Sequence, residues 1–362
     1  MKRTAFALIA LLLIAGAAFI VTFNHLDESP AATGPGDAQR GATLATVGHC
    51  AGCHTARGGA PYAGGRALAT PFGTVYATNL TPDANTGIGR WSDTDFWRAL
   101  HNGRAADGRW LVPACPYPNF TQVSRDDVRD LFAYLRSVPA VQQANRTHEL
   151  RSIYGTQAAL AVWRALYFRP GTPPADRGEA LASGLGHCSA CHGQRNAWGA
   201  TDGPLDLRGG SVSTPGWYAP ALDDPREAGV AAWSQADVVA LLKDGRKAHA
   251  SARGPMASVV AGSMQHWADD DLQAVATFLR ALPQRRTSVP AHEAAPTAQR
   301  ELGAKRYAQH CADCHGEQGE GSAGVAPALR GNRAAVMDRP DNVIRTVLGG
   351  GYGTATAANP RP

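Results

Sequence analysis

Charge is sparse in this chain and does not cluster. Asp, Glu, Lys and Arg make up 18% of 362 residues, 35 basic against 30 acidic, and no Lys/Arg run exceeds pairs such as Arg285-Arg286. That pattern gives no support to nucleic-acid binding. Disorder along the whole length is excluded as well, because 44% hydrophobic residues can build cores. A Gly-x-y period is missing although glycine and proline number 40 and 24, which excludes collagen and favours loop-rich domains with short helices. No Gly-x-Gly-x-x-Gly precedes a helix and no Ser-His-Asp arrangement stands out, so catalysis by this chain alone has no visible apparatus. Methionine is scarce, with four copies and none between Met1 and Met256.

The length exceeds what one core usually organises and implies two or three domains. The seven cysteines say how they are arranged. Six form three copies of one motif, Cys50-Ala-Gly-Cys53-His54, Cys188-Ser-Ala-Cys191-His192 and Cys311-Ala-Asp-Cys314-His315, and only Cys115 stands apart. Cys-x-x-Cys-His is the attachment signature of c-type haem. Two thiols three residues apart on a helical turn add to the two vinyl groups, and the adjacent histidine then lies under the iron. A zinc ribbon needs paired Cys-x-x-Cys elements roughly 15 to 20 residues apart, whereas these motifs start 138 and 123 residues apart and are odd in number. A thioredoxin-like site wants a βαβ context, which the flanking sequence lacks. The expectation is three covalently bound haem c groups, held by Cys50, Cys53, Cys188, Cys191, Cys311 and Cys314, with His54, His192 and His315 on iron.

Such haems are attached outside the bacterial cytoplasm, which requires export. Lys2-Arg3 followed by an uncharged apolar stretch from Ala5 to Phe23 supplies it, as a signal peptide or a membrane anchor over residues 1–24. A linker of small residues, Ser29 to Asp37, leads into the first domain.

The chain also repeats itself around its motifs. Tyr76-Ala-Thr-Asn-Leu80, Trp91-Ser92, Leu100-His-Asn-Gly103-Arg104 and Pro113-Ala-Cys115 follow the first. Tyr218-Ala-Pro-Ala-Leu222, Trp233-Ser234, Leu242-Lys-Asp-Gly245-Arg246 and Gly254-Pro255-Met256 follow the second. Each unit closes on a helix that starts with Asp126-Asp127 or Asp270-Asp271 and stops at Pro139 or Pro283. The order is a helix with the haem motif, a long glycine-rich loop, a middle helix, a ligand loop and a final helix. We expect an all-α fold of three tandem cytochrome c domains at 34–145, 173–284 and 296–362. The third is expected to be incomplete, and residues 146–172 form a linker containing an apolar helix.

With these motifs, and with Pro71-Phe-Gly-Thr-Val-Tyr-Ala-Thr-Asn-Leu-Thr-Pro82 and Thr86-Gly-Ile-Gly-Arg-Trp-Ser92 beside them, the chain resembles the triheme cytochrome c subunit of bacterial membrane-bound dehydrogenases of the alcohol and gluconate dehydrogenase type. The resemblance implies an electron-transfer subunit on the periplasmic side of the inner membrane. It would take electrons from a quinoprotein, flavoprotein or molybdenum-containing catalytic subunit and pass them to ubiquinone or a terminal oxidase. The competing readings are a freestanding anchored multihaem carrier and a haem peroxidase.

An electron-transfer haem c commonly carries methionine opposite the histidine. Met256 occupies the ligand-loop position of the second repeat; Met264, eight residues on, is the other candidate and is expected to pack as an apolar side chain. The first haem cannot be His/Met within its own domain. Cys115 stands at the equivalent position, as a thiolate ligand, an inert buried thiol or a replacement that leaves the iron five-coordinate. His101 is the alternative and is expected on the surface of the middle helix. In the third repeat the equivalent of Leu100 and Leu242 is Leu348, which puts its ligand at about position 362 or beyond, and Met337, ahead of the middle helix, is a weak substitute. Residues Ile153 to Phe168, ending in Trp163, Tyr167 and Phe168, form either a helix packed between domains or a segment lying against the membrane or the catalytic subunit. A second linker is expected from Pro283 to Pro296. Three haems bring about six propionate carboxylates, which roughly cancel the chain's net charge of +5.

Overall fold

The structure, a computed structural model, describes residues 2–26, 34–212, 216–247, 250–285, 295–322, 326–350 and 353–357. Most of the linkers expected at Ser29 to Asp37 and Pro283 to Pro296, and residues 358–362, lie outside these. The chain divides into two units, Met1–Asp206 and Leu207–Pro362. The division falls inside the second repeat, after its haem motif.

In the first unit α1 (Lys2–Phe23) is followed by α2 (Ala38–Val47) and the short α3 (Cys50–His54), which carries the first motif. The middle helix α4 (Asp93–Asn102), the short α5 (Tyr117–Phe120) and the closing α6 (Arg125–Ser137) come next, then α7 (Gln157–Tyr167), α8 (Arg177–Ser183) and α9 (Ser189–His192). The glycine-rich loop is not wholly irregular, which corrects the all-α expectation. Strands β1 (Ala67–Thr70) and β2 (Gly73–Tyr76) pair antiparallel from Ala67↔Tyr76 to Thr70↔Gly73, and β3 (Glu149–Leu150) adds to β2 through Gly73↔Leu150. The fold is helix-rich with a few short strands, because Pro71-Phe72-Gly73 turns the chain back on itself between two short runs of small and β-branched residues.

The core of this unit lies where α2 crosses α6. Leu44, Ala45 and Val47 from α2 meet Val128, Leu131 and Leu135 from α6, all buried. Each large apolar side chain so placed contributes about 1.5–3 kcal/mol. The crossing is close because residue 41 is glycine: a Cβ there would lie 1.9 Å from the Asp130 carbonyl oxygen. Asp130 is itself buried at 2% exposure and accepts from the Asp37 N–H at 3.0 Å, from Arg40 Nη1 at 2.5 Å and from Arg129 Nε at 3.3 Å. Arg40 also pairs with Asp127, so one guanidinium clamps both helices.

Helix α7 packs along α1. Asn24, just past α1, donates to the Ala161 carbonyl at 2.9 Å, and the Arg169 guanidinium lies over the Phe23 ring at 4.3 Å. Among the described residues no helix is long and apolar enough to cross a membrane, and several α1 side chains, Leu12 and Leu13 among them, lie outside that set.

The second unit starts with paired strands β4 (Gly210–Ser211) and β5 (Tyr218–Ala219) and continues through α10 (Gln235–Asp244), the β6 (Arg246–Lys247) and β7 (Ala250–Ser251) hairpin, α11 (Pro255–Gly262) and α12 (Asp269–Ala281). Its core combines Val238, Leu242, Val260, Leu272, Val275 and Leu279. Helices α13 (Thr297–His310), α14 (Ala312–His315), α15 (Arg333–Val336) and α16 (Asp341–Gly349) complete it. None of these four buries a residue, and Leu302, Val336, Ile344, Val347 and Leu348 are exposed.

Candidate haem-attachment sites

The first motif sits on a deliberate break in a helix. Helix α2 stops at Gly48, His49 takes the left-handed conformation at φ 49°, and α3 restarts with Cys50, Cys53 and His54 on its single turn. The second motif repeats the device: His187 lies at φ 34° immediately before Cys188, and α9 carries Cys191 and His192. Left-handed backbone is uncommon for residues other than glycine, and histidine is among those that adopt it most readily. A histidine precedes the third motif too, but His310 there ends α13. Nothing in the Cys-x-x-Cys-His pattern itself announces this histidine. Its recurrence directly before all three motifs was the available signal.

The motif histidines are oriented by the backbone. His54 Nδ1 lies 2.7 Å from the Thr78 carbonyl oxygen, and His315 Nδ1 lies 2.8 Å from that of Pro327. A carbonyl only accepts, so the proton is on Nδ1 and the Nε2 lone pair is left for a metal. Burial lowers the His54 pKa, and the Thr78 bond offsets part of that. Thr78 is held by its neighbour Asn79. The Asn79 N–H donates to Asn145 Oδ1 at 2.7 Å, its carboxamide donates to the Val141 carbonyl at 2.8 Å and to Thr86 Oγ1 at 3.1 Å, and its Oδ1 accepts from Thr81 Oγ1 at 2.7 Å. The Tyr76-Ala-Thr-Asn-Leu80 sequence is thus the frame that aims His54.

None of the seven cysteines takes part in a disulfide. Burial, with Cys53 and Cys115 nearby, pushes the Cys50 thiol up to about 12; burial and Cys53 do the same to Cys115, also to about 12. Cys115 is half-buried and near enough to both attachment thiols to feel their charge, so the ligand loop of the first repeat faces its own motif. His101 is not at the surface as expected. It is 3% exposed and stacks on Trp97 with centroids 4.0 Å apart and planes at 15°. Trp97 and His101 are i and i+4 on α4, so both fall on the face that the helix buries. The free thiol pair on one turn, the adjacent histidine with Nε2 available and the buried surroundings fit a covalently attached haem.

In the first unit the two motifs are neighbours. Cys191 feels the charge of Cys53, and His187 Nε2 lies 3.3 Å from the Gly48 carbonyl oxygen. The link runs through α5. The Asn119 carboxamide, 4% exposed, donates to Ser189 Oγ at 2.9 Å and to the Ser183 carbonyl at 2.8 Å, and the Phe120 ring meets His187 edge-on at 5.7 Å. Asn119 follows Cys115 by four residues, so the ligand loop of the first repeat also braces the attachment peptide of the second. The sequence pattern assigned it no such part.

In the second unit the third motif is braced more locally. The Tyr307 hydroxyl donates to the Gly316 carbonyl at 2.5 Å and Ser322 Oγ to the Cys314 carbonyl at 2.6 Å. An open cleft of about 540 Å³ is lined by Gly303, Tyr307, Ala312 and Asp313, the last two of which lie between Cys311 and Cys314 in the chain. Met256 stands half-buried in the first turn of α11, Met264 is buried in a short turn after it, and Met337 caps α15 half-buried.

Comparison with known proteins accords with this architecture. The cytochrome c family model matches residues 38–139, 175–283 and 301–362. The chain is 36% identical to the cytochrome c subunit of the quinone alcohol dehydrogenase of Gluconobacter oxydans, over 89% of this chain and 72% of that protein. It is 37% identical to the gluconate 2-dehydrogenase cytochrome c subunit of Pantoea cypripedii, over 86% and 77%, and 32% identical to the fructose dehydrogenase cytochrome subunit of Gluconobacter japonicus, over 96% and 77%. With three matched segments that each contain one Cys-x-x-Cys-His, the chain belongs to the cytochrome c family.

Proposed function

We propose that this protein is the electron-transfer subunit of a membrane-bound dehydrogenase complex, with substrate oxidation carried out in a partner subunit. The observation that carries the proposal is the recurrence of the attachment motif at one equivalent place in each of three family-matched segments. The relatives named as cytochrome subunits of alcohol, gluconate and fructose dehydrogenases support the same reading. The partner is a catalytic subunit of quinoprotein, flavoprotein or molybdenum type, and the acceptor is ubiquinone or a terminal oxidase at the periplasmic side of the inner membrane. The apolar run from Ala5 to Phe23 and the ties from Asn24 to α7 support membrane attachment through α1.

Each haem, when bound, supplies a one-electron Fe(III)/Fe(II) couple. The chain's contribution is to hold it. Cys50 and Cys53, Cys188 and Cys191, and Cys311 and Cys314 would hold it through their sulfurs, and His54, His192 and His315 would each offer a ring nitrogen to the iron. The Thr78 and Pro327 carbonyls keep two of those rings in the ligating tautomer. Met256 is proposed as the opposite ligand of the second haem on its place in the repeat. Cys115 is proposed as the residue on the open side of the first, supported by its closeness to Cys50 and Cys53.

The test is purification from native membranes in mild detergent, with every co-purifying chain identified by mass spectrometry and haem counted by the pyridine haemochrome. Three haems per chain and a stoichiometric dehydrogenase subunit are expected. Recovery of the fully loaded chain without any partner would instead make it a freestanding carrier.

A further inference from the structure

Among the described residues of the first unit, the exposed large apolar side chains outside α1 fall in one place. They are Ile153, Tyr154, Val162, Leu166 and Trp198, with Ile153 at 62% and Trp198 at 55% exposure. Val162 and Leu166 are i and i+4 on α7 and share a face, while Leu160, Arg164 and Ala165 are the residues that this helix buries. Ile153 and Tyr154 belong to the turn at Ser152–Gly155 just before it. Two contacts bring distant chain to this stretch. Trp163 Nε1 donates to the Trp198 carbonyl at 2.9 Å, and the Tyr154 ring lies 4.8 Å from the ring of Phe72 at a tilt of 50°. Phe72 also meets the residue after Trp198, since a Cβ on Gly199 would stand 2.8 Å from Phe72 Cε2. Three parts of the chain, at 72, 153–166 and 198, are thereby joined in one aromatic and aliphatic patch that the core does not use. A scattered exposed leucine needs no explanation, but a joined patch marks a surface that something covers.

The element beside the patch indicates what covers it. Helix α7 packs along α1, whose Phe6, Leu8, Ile9, Leu11, Ile14 and Val21 are all exposed and lie all round the helix. A helix apolar on every side suits lipid better than a single protein groove. The end of α1 is held to α7 by Asn24, which donates to the Ala161 carbonyl at 2.9 Å and accepts from Arg164 Nε at 3.1 Å, and by the Arg169 guanidinium over the Phe23 ring. Val162, the first patch residue on α7, directly follows Ala161, so the patch starts where the apolar helix stops. Charge points the same way. From Leu150 to Ala175 the chain has no Asp or Glu, and Arg151 and Arg169 in that stretch are exposed. Tryptophan and tyrosine over an aliphatic face, flanked by arginine, are the composition that settles between headgroups and acyl chains, and anionic headgroups favour the arginines.

We propose that the patch formed by Phe72, Ile153, Tyr154, Val162, Leu166 and Trp198 lies in the headgroup region of a lipid bilayer beside α1, giving the first unit a second membrane contact built from folded protein surface. The proposal rests on the membrane attachment read above and deepens it by naming the face that meets the lipid. A helix anchor alone leaves the attached unit free to turn about its tether, whereas two contacts fix which side of the unit faces the membrane.

The experiment reconstitutes the full-length holoprotein into vesicles of phosphatidylethanolamine and phosphatidylglycerol that carry a diazirine-bearing phosphatidylglycerol, and maps the photolabel by mass spectrometry. Label is expected on peptides covering 153–168 and 196–199, with none on the core peptide 125–137 of α6. Label on α1 peptides tests attachment through α1 by itself. Label on α1 with none on the patch would overturn this proposal and leave that attachment standing, whereas label on neither would overturn both. Val162→Asp/Leu166→Asp, at two exposed positions, should bring the label on 153–168 down to the level of the α6 peptide while the label on α1 stays unchanged; undiminished label in that variant would overturn the proposal too. Should that variant not fold, Trp198→Ser carries the same comparison at 196–199. A benzophenone amino acid in place of Leu166 is expected to capture phospholipid in native membranes, and capture of another polypeptide there would give the patch to a protein partner and overturn the proposal.

Discussion

Asn119 donates to Ser189 at 2.9 Å, and Ser189 is the residue directly after Cys188 in the second haem motif. A loop defined by the first repeat therefore holds the attachment peptide of the second. The bond is buried, so losing it strands the Ser183 carbonyl and the Ser189 hydroxyl without the partner that satisfied them.

Asn119→Ala is expected to destabilise the first unit by about 1–3 kcal/mol. Denaturant unfolding of the purified protein measures this. A larger effect should appear in haem counts, with occupancy falling at the Cys188/Cys191 site while the Cys311/Cys314 site stays filled. Equal loss at both would show that Asn119 has no special tie to the second motif.

Gly41→Ala tests the crossing of α2 and α6. In an open helix this change raises stability by close to 1 kcal/mol through helix propensity. Here the added Cβ would stand 1.9 Å from the Asp130 carbonyl oxygen, and the helices must part. Destabilisation of about 1–3 kcal/mol is expected, together with fewer first-site haems because α2 leads directly into Cys50. A stabilised Gly41→Ala protein would contradict the close crossing.

The acid limb of stability should pass through Asp130. Burial favours its neutral form, but the Asp37 N–H, Arg40 and Arg129 outweigh burial and hold its carboxyl below the usual carboxylate range. A depressed folded pKa means that the unfolded chain binds the extra proton, so the contribution is complete above the unfolded value near 4 and is lost as pH falls through the folded value. Unfolding midpoints measured from pH 6 downward should fall below about pH 4, and Asp130→Asn should flatten that part of the curve while lowering the plateau. A variant with the same acid slope as wild type would remove Asp130 from this role.

Ser92 and Ser234 cap the middle helices of the two complete repeats. Ser92 Oγ accepts from the Asp95 N–H at 3.1 Å, and the Asp95 carboxylate accepts from the Ser92 N–H at 2.9 Å; Ser234 Oγ accepts from the Asp237 N–H at 3.1 Å. Replacing either serine with alanine should cost about 1 kcal/mol. Two local effects of similar size, read by thermal unfolding, are expected; a difference of several kcal/mol would mean that the repeats are not equivalent at this point.

Much of the local architecture was legible from residues alone. Asp126-Asp127 and Asp270-Asp271 mark the starts of the closing helices, because acidic residues in a first turn favour the exposed backbone N–H groups there, a purely local reward. Trp91-Ser92 and Trp233-Ser234 stand out in the sequence only as repeats, and the structure adds that each serine caps a middle helix. The hairpin in the glycine-rich loop was missed, since strands of two to four residues leave almost no periodic signal. His101 is buried rather than exposed because helix periodicity fixes which residues share a face, but not whether another element packs on that helix; α5 does, with its Tyr117 ring against Gly103 at the end of α4.

The candidate haem-attachment residues are legible in the sequence by itself, because covalent attachment demands two thiols and a histidine within one helical turn, and that requirement is written in consecutive positions. The scarcity of methionine likewise shows, from residues alone, that the first repeat contains no methionine of its own. Only the tertiary structure decided what surrounds those residues: the Thr78 carbonyl that orients His54 and the Asn119 bridge to the second motif. Each joins groups 24 to 70 residues apart, and such pairings are fixed by how packed elements bring distant backbone together, which no local spacing records.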